Sequence, residues 1–277
     1  MNKKQKHINK LVKRLISKGI RYYHNFNSNG YEKAIEKFNK AIELDHNNAN
    51  AYKYRADVYF IIEPKKAIKD LNKAIKLKPN YISAYELRAI TNISLLFLNR
   101  ENKSIHNYKS ILSDYTTILK YNPNYVNAYL SRGDIYSDFE QFWFSIKDYS
   151  KAIELRPKQY KTYILRGEDY CEIQQYEKAI EDFTMAITSN NKLNKADGYI
   201  GLGKTYYLLK DYNKAINCYT KAIEVFEGTT NLYLIKCYKK RSEAYSLLGE
   251  KEKAETDLKL ADKIEFKNKK DTVTIEF

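Results

Sequence analysis

The 277-residue sequence holds only three cysteines, four prolines, nine glycines, four histidines and one tryptophan, and each shortage excludes something. Cys171, Cys218 and Cys237 are odd in number and show no CxxC spacing. Neither a disulfide framework nor a thiolate metal site is expected; free thiols in a reducing, cytoplasmic setting are. His7, His24, His46 and His106 are scattered, with no Cys, Asp or Glu at ligand spacing, which argues against a metal centre. With proline and glycine so sparse, little interrupts helix, and an all-α chain is predicted. No apolar run approaches the roughly 18 residues of a membrane span. G-x-S-x-G and G-x-G-x-x-G are missing too. No cofactor and no enzymatic activity are expected.

Tyrosine is abundant, at 27 residues, and 43% of the chain is hydrophobic, enough for a continuous core. The apolar residues recur in a pattern clearest over residues 160–193. Tyr163, Gly167 and Tyr170 lie at helical spacing, Gln174 and Gln175 form a polar turn, and Tyr176, Ala179, Phe183 and Ala186 mark a second helix. Gly167 and Ala186 are small where two helices must approach; Tyr163, Tyr170 and Phe183 fill the space beside them. Such a hairpin cannot bury both faces alone, so a tandem array must stack. The pattern recurs near residues 15–48, 49–81, 82–125, 126–159, 196–229 and 235–268. One elongated body over 15–268 is therefore expected, with a basic helical extension at 1–14 and a tail at 269–277.

The signature Tyr-x-x-Arg-Gly-x-x-Tyr followed by Ala-Ile-x-x-Phe/Tyr-x-x-Ala resembles the tetratricopeptide repeat family over nearly the whole chain. The resemblance implies a right-handed superhelical solenoid of about seven helix-turn-helix repeats, lined on its concave side by the first helix of each. Some relatives grip a C-terminal carboxylate there with Lys, Asn and Arg. The matching places here, Lys53, Asp57, Leu87, Asn127 and Ser131 or Ile164, Glu168, Gly201, Lys236 and Lys240, do not complete that set.

Several local features qualify the pattern. The first repeat looks degenerate, with Tyr22 at the small-residue place and Arg21 and Lys37 departing from the usual polar pair. The amphipathic stretch from Ile8 to Ile20 has no acid before Glu32; it reads as a helix of the first hairpin, with an organellar presequence as the alternative. An insertion near 97–107 predicts a mobile tip at 99–104. Trp143, between Phe142 and Phe144, is expected to pack on the next hairpin rather than serve as a ligand platform. The string GYIGLGKT at 198–205 satisfies a phosphate-loop pattern but has no strand before it, and its Tyr and Gly positions belong to the repeat. The Lys-rich residues after Glu265 are expected to be disordered.

Two sets of residues stand out by position. Arg55, Arg88, Arg132, Arg166 and Arg241 occupy a usually apolar place, and each repeat has an acid in its second helix: Asp70, Asp114, Asp148, Asp182 and Asp257. Where Leu202 replaces the arginine, Cys218 replaces the acid. A ladder of partly buried ion pairs is predicted. The second set projects inward from first helices: Asp57, Asp134, Asp138, Glu168, Glu172 and Glu243, with Lys204 and with Phe60 and Tyr207 as apolar contacts. Asp134 with Asp138, and Glu168 with Glu172, are like charges four apart, each pair costing about 0.2–0.5 kcal/mol. Lys161, Lys204 and Lys236 could neutralise this acid.

The net charge of +15 rests mainly on lysine, only nine of the cations being arginine. Most second-helix lysines project outward, so a nucleic-acid partner is not favoured. A protein-interaction scaffold is expected, with a peptide or protein partner, possibly basic, in the groove. The alternatives are an RNA-binding solenoid and a regulatory subunit of an enzyme complex.

Overall fold

The computed structural model describes residues 3–25, 27–98, 105–226 and 232–273. The expected mobile tip at 99–104 lies outside them. Among the described residues there are fourteen helices and no strand. In chain order they are α1 (Lys3–Tyr23), α2 (Ser28–Leu44), α3 (Ala49–Ile62), α4 (Pro64–Leu77), α5 (Ile82–Leu98), α6 (Ile105–Tyr121), α7 (Val126–Asp138), α8 (Phe142–Leu155), α9 (Tyr160–Glu172), α10 (Tyr176–Ile187), α11 (Lys192–Leu208), α12 (Tyr212–Val225), α13 (Leu232–Leu247) and α14 (Lys251–Val273). Successive odd and even helices make the first and second helix of each repeat. The fold is an all-α helical repeat. Backbone packing separates an N-terminal unit, residues 1–135, from a C-terminal unit, residues 136–277.

Local chemistry sets the helix ends. Asn27, Asn48, Asn191 and Asp211 each accept a backbone N–H from the first turn of the following helix, satisfying donors that have no intrahelical partner. Pro64 opens α4, where its missing N–H costs nothing. In the C-terminal unit the turns between paired helices use a left-handed residue: Glu140 (φ 58°), Gln174 (φ 60°), Lys210 (φ 62°) and Gly249 (φ 80°). The next residue then donates back to a tyrosine in the last turn of the first helix, as Gln175 N does to Tyr170 O at 2.8 Å and Asp211 N to Tyr206 O at 2.9 Å. This closes the helix in a Schellman-type cap.

One large side chain on each of the first six second helices forms the spine of the core. Phe38, Leu71, Tyr115, Tyr149, Phe183 and Tyr219 are all at most 2% exposed, and burying a side chain of this size stabilises by about 1.5–3 kcal/mol. Each needs a small neighbour on the first helix. A methyl group at Gly203 would come within 2.5 Å of Tyr219 Cε1, so only hydrogen fits there. In the first repeat the small neighbour of Phe38 is Gly19, not the Tyr22 place that the repeat register indicates. The reason is an earlier start: α2 begins at Ser28, three residues before Tyr31, and the pairing of the hairpin shifts with it.

The arginines join adjacent hairpins. Arg55 Nε and Nη2 donate to the two carboxylate oxygens of Asp70, each at 2.7 Å. Arg88 holds Asp114 at 3.0 and 2.5 Å, Arg166 holds Asp182 at 2.8 and 2.6 Å, and Arg241 holds Asp257 at 2.8 and 2.7 Å. The remaining Nη1 reaches the second helix of the preceding hairpin: Asn39, Asn72, Ser150 and Thr220 accept from Arg55, Arg88, Arg166 and Arg241. Arg132, in the N-terminal unit, donates likewise to Thr116 at 2.9 Å, while Asp148 is buried in the C-terminal unit at 3% exposure. Tyrosine rings flank the guanidinium groups, Tyr163 and Tyr170 lying 5.8 and 5.7 Å from Arg166. Burial lifts the carboxyls of Asp114 and Asp182 above the usual carboxylate range, against the downward pull of their arginines. For Arg166 burial opposes the charge, yet the bond to Asp182 prevails and strengthens proton binding. With two short parallel bonds the pair is ionised, and its energetic weight lies in the cost of breaking it. Leu202 and Cys218 instead share an apolar cluster.

Two expectations need correction, and the reading of residues 198–205 as repeat helix holds. Trp143, at the start of α8, is 64% exposed, and its neighbour Phe144 stacks on Tyr136 at 5.2 Å. The turn is too short to turn both large rings inward, and Phe142 is the one that folds under. The chain after Glu265 is helical as far as Val273 because no Gly or Pro interrupts α14. Residues 198–205 lie inside α11, so their N–H groups are spent on the helix and cannot cradle a phosphate.

Candidate binding groove of the C-terminal unit

Within the C-terminal unit, α9, α11 and α13 each line one pocket of about 520 Å³. Its charged lining is ordered by helical spacing. Glu168 and Glu172 come from α9, Asp197 and Lys204 from α11, and Lys236, Lys240 and Glu243 from α13. Leu165, Phe183, Ile200, Tyr207 and Leu208 supply apolar wall, and Tyr207 is steadied edge-on by Tyr212 at 5.5 Å.

Most of these charges are already matched. Lys204 donates to Glu172 at 3.0 Å, Lys240 to Glu243 at 2.8 Å, and Lys161 to Asp197 at 3.4 Å. The like-charge pair on α9 is thereby relieved from the neighbouring helix. Glu168 differs: among the described residues it has no hydrogen-bond or ion-pair partner. It is open to solvent but walled in by α9 and α11, and desolvation lifts its carboxyl above the usual carboxylate range. Lys161, Lys204 and Lys236 pull it down, and Asp197 pushes it up.

At the edge of the pocket lies a polar network that the repeat pattern does not contain. Asp169, 2% exposed, accepts from Ser137 Oγ at 2.7 Å and from Ser145 Oγ. Other repeats carry Val58, Thr91, Ile135, Thr205 and Ala244 at the Asp169 place. One repeat further, Cys171 Sγ and Thr205 Oγ1 meet at 3.2 Å. An Asp at a place where the other repeats have uncharged residues, with Ser145 where most have Ala, was the available sequence signal.

The structure thus brings Glu168, Glu172, Lys204, Tyr207 and Glu243 to one pocket. The others lie elsewhere. Asp57 sits in the N-terminal unit, clamped by Lys53 at 3.0 Å; burial raises its carboxyl and Lys53 lowers it. Phe60 packs on the Leu71 cluster of that unit. Asp134 and Asp138 are exposed on α7 and are not part of the pocket wall. The inner face of the C-terminal unit is therefore a field of alternating signs, more than the acidic stripe that the first helices suggest.

Among the described residues no group of His, Cys, Asp and Glu is placed to hold a metal ion. No helix among them is long and apolar enough to cross a membrane. Burial pushes the Cys218 thiol up to about 11 and the Cys237 thiol up to about 12, far from the range in which a thiolate could act as a nucleophile.

Comparison with known proteins agrees with this architecture. No curated protein sequence matches the chain. A tetratricopeptide repeat from Parabacteroides merdae is similar in structure over 92% of this chain and 93% of its own, at 19% identity and a TM-score of 0.59. YrrB, described as a TPR protein with an unusual peptide-binding site, is similar over 69% of this chain and 93% of its own, at 20% identity and a TM-score of 0.57. Pseudomonas aeruginosa pilF is similar over 80% and 95%, at 14% identity and a TM-score of 0.55. These likenesses show the fold. Residues 196–228 match the family model described as Tetratricopeptide repeat, and residues 26–60 match the one described as TPR repeat. With a repeat recognised in each unit and the fold shared with repeat proteins of this kind, the chain carries tetratricopeptide repeats.

Proposed function

We propose that this protein is a non-catalytic interaction scaffold that holds a peptide or protein segment of a partner against the α9, α11 and α13 wall. The observation that carries the reading is the pocket itself. Its size falls in the range of about 300–1,000 Å³ typical of ligand sites, and it joins apolar wall to one carboxylate left unmatched among the described residues. Five carboxylates and three lysines line it, so a basic segment is favoured over an acidic one. YrrB, a repeat protein with a peptide-binding site, lends support by analogy of fold. Three buried free thiols suit work in the cytoplasm.

The test is titration of the full-length protein with matched basic and acidic peptides and with single-stranded RNA, at two salt concentrations. The same series is run on Leu208→Asp, which alters an exposed residue of the wall. The basic peptide should bind, weaken as salt rises and be lost in the variant. Binding of RNA or acidic peptide that ignores Leu208→Asp would move the partner to the lysine-rich surface and end the reading.

A further inference from the structure

Gly201 stands where no other repeat has a glycine. The residue before the arginine of the ladder is Tyr54, Leu87, Ser131, Leu165 or Lys240 in the repeats that have one. In the N-terminal unit Tyr54 stacks its ring on Phe38, with centroids 6.1 Å apart and planes 17° apart. In the C-terminal unit the equivalent ring, Phe183, faces Gly201. A methyl group there would come within 2.3 Å of Phe183 Cε1. The Gly201 backbone itself covers the ring, which is as buried as Phe38, and with no side chain above it Gly201 lines the pocket.

Leu165 and Ile200 flank this spot. Glu168 stands one helical turn beyond Leu165 on α9. The charged groups that face it are Lys161 on its own helix, Asp197 and Lys204 on α11, and Lys236 on α13. Lys161 and Lys204 are engaged with Asp197 and Glu172. A neutral anchor seated over Gly201 would cover Glu168 and leave its carboxylate desolvated without a partner, which is costly. An acidic one would add repulsion.

Resting on the reading of this wall as a segment-binding surface, we infer that the pocket selects one basic side chain, Arg or Lys, from the bound segment. Its aliphatic stem lies over Gly201, between Leu165 and Ile200, and its cationic end donates to Glu168. Long basic side chains suit such a site because stem and head have opposite solvation needs.

The test uses the full-length protein to select from a displayed library of random short peptides. Selected sequences are resynthesised with each Arg or Lys replaced in turn by norleucine, which keeps the stem and removes the charge. They are then titrated against the wild type, Glu168→Gln and Leu208→Asp. One replacement should weaken binding to the wild type about tenfold, as loss of a charge-assisted hydrogen bond does. The same replacement should cost nothing against Glu168→Gln. Selected peptides that lack Arg and Lys, or a replacement equally costly in both proteins, overturn the inference; if Leu208→Asp still abolishes binding, the wall remains the binding surface. Peptides indifferent to both variants remove the wall as well.

Discussion

The two units solve the same packing problem with opposite surface results. In the N-terminal unit the ring of Phe38 is covered by Tyr54, and the inward acid Asp57 is clamped by Lys53 one turn away. In the C-terminal unit the matching ring of Phe183 meets Gly201, and the matching acid Glu168 has no partner among the described residues. Both units carry rungs of the same Arg–Asp ladder. What differs is the layer above the core, where a few side chains decide whether an inner face is closed or receptive. A repeat protein can thus keep one scaffold and vary its recognition from repeat to repeat.

The ladder should behave alike in the two units. Asp70→Ala and Asp182→Ala each leave a mostly buried guanidinium unmatched, and each should lower unfolding free energy by about 3 kcal/mol, the low end for a broken buried pair, because the arginines keep some exposure. Urea denaturation checks this. A loss confined to one unit would show that the ladder is not a common device.

Gly201→Ala should separate the units. The new methyl group collides with Phe183, and overpacking of this kind costs about 1–3 kcal/mol. Thermal melting should register that loss, and peptide titration a weaker ligand, because the ring must move. A melt identical to wild type would mean that Phe183 is free to shift and that the pocket floor is not defined by Gly201.

The ladder gap in the sixth repeat can be filled. Leu202→Arg alone buries an unmatched cation and Cys218→Asp alone an unmatched acid, so each should destabilise. The double variant should recover about 1–3 kcal/mol of coupling, with Thr184 at the place of the accepting Ser150 and Thr220. Additive losses would indicate that the hairpins there are spaced differently from those at Arg166.

The smallest effect concerns pH. The Glu168 carboxyl titrates above the usual carboxylate range of about 4.3, and it attracts a cation only when ionised. Affinity for a basic peptide should therefore hold at neutral pH and fall as pH is lowered through that raised value, before ordinary carboxylates titrate. Glu168→Gln should flatten the profile in that window. Asp57, whose carboxyl burial also raises, lies in the other unit and serves as the control: Asp57→Asn should leave the profile unchanged.

Much of this was legible from one chain, for identifiable reasons. The Arg–Asp relation could be read because both residues vary together within the repeats, and Leu202 with Cys218 keeps the rule by breaking both halves. The second acceptors, Asn39, Asn72, Thr116, Ser150 and Thr220, recur two residues after the acid place. That signal was present and unused, since a polar residue on an outer helix ordinarily needs no partner. Helical spacing also placed Glu168, Glu172, Lys204, Tyr207 and Glu243 on inward faces. It could not show which charges cancel, because Lys204 meets Glu172 across 32 positions and two helices.

The sequence by itself determined the helices, their pairing into hairpins and the identity of the buried spine, because these depend on local periodicity and on the volume of large and small residues at fixed intervals. Only the tertiary structure decided where a binding site could exist. The contact of Gly201 with Phe183, the cancellation of Glu172 by Lys204, the register of Gly19 on Phe38 and the isolation of Glu168 all arise between elements. Distances of a few ångströms across adjacent helices set them, and no spacing within a single helix encodes such distances.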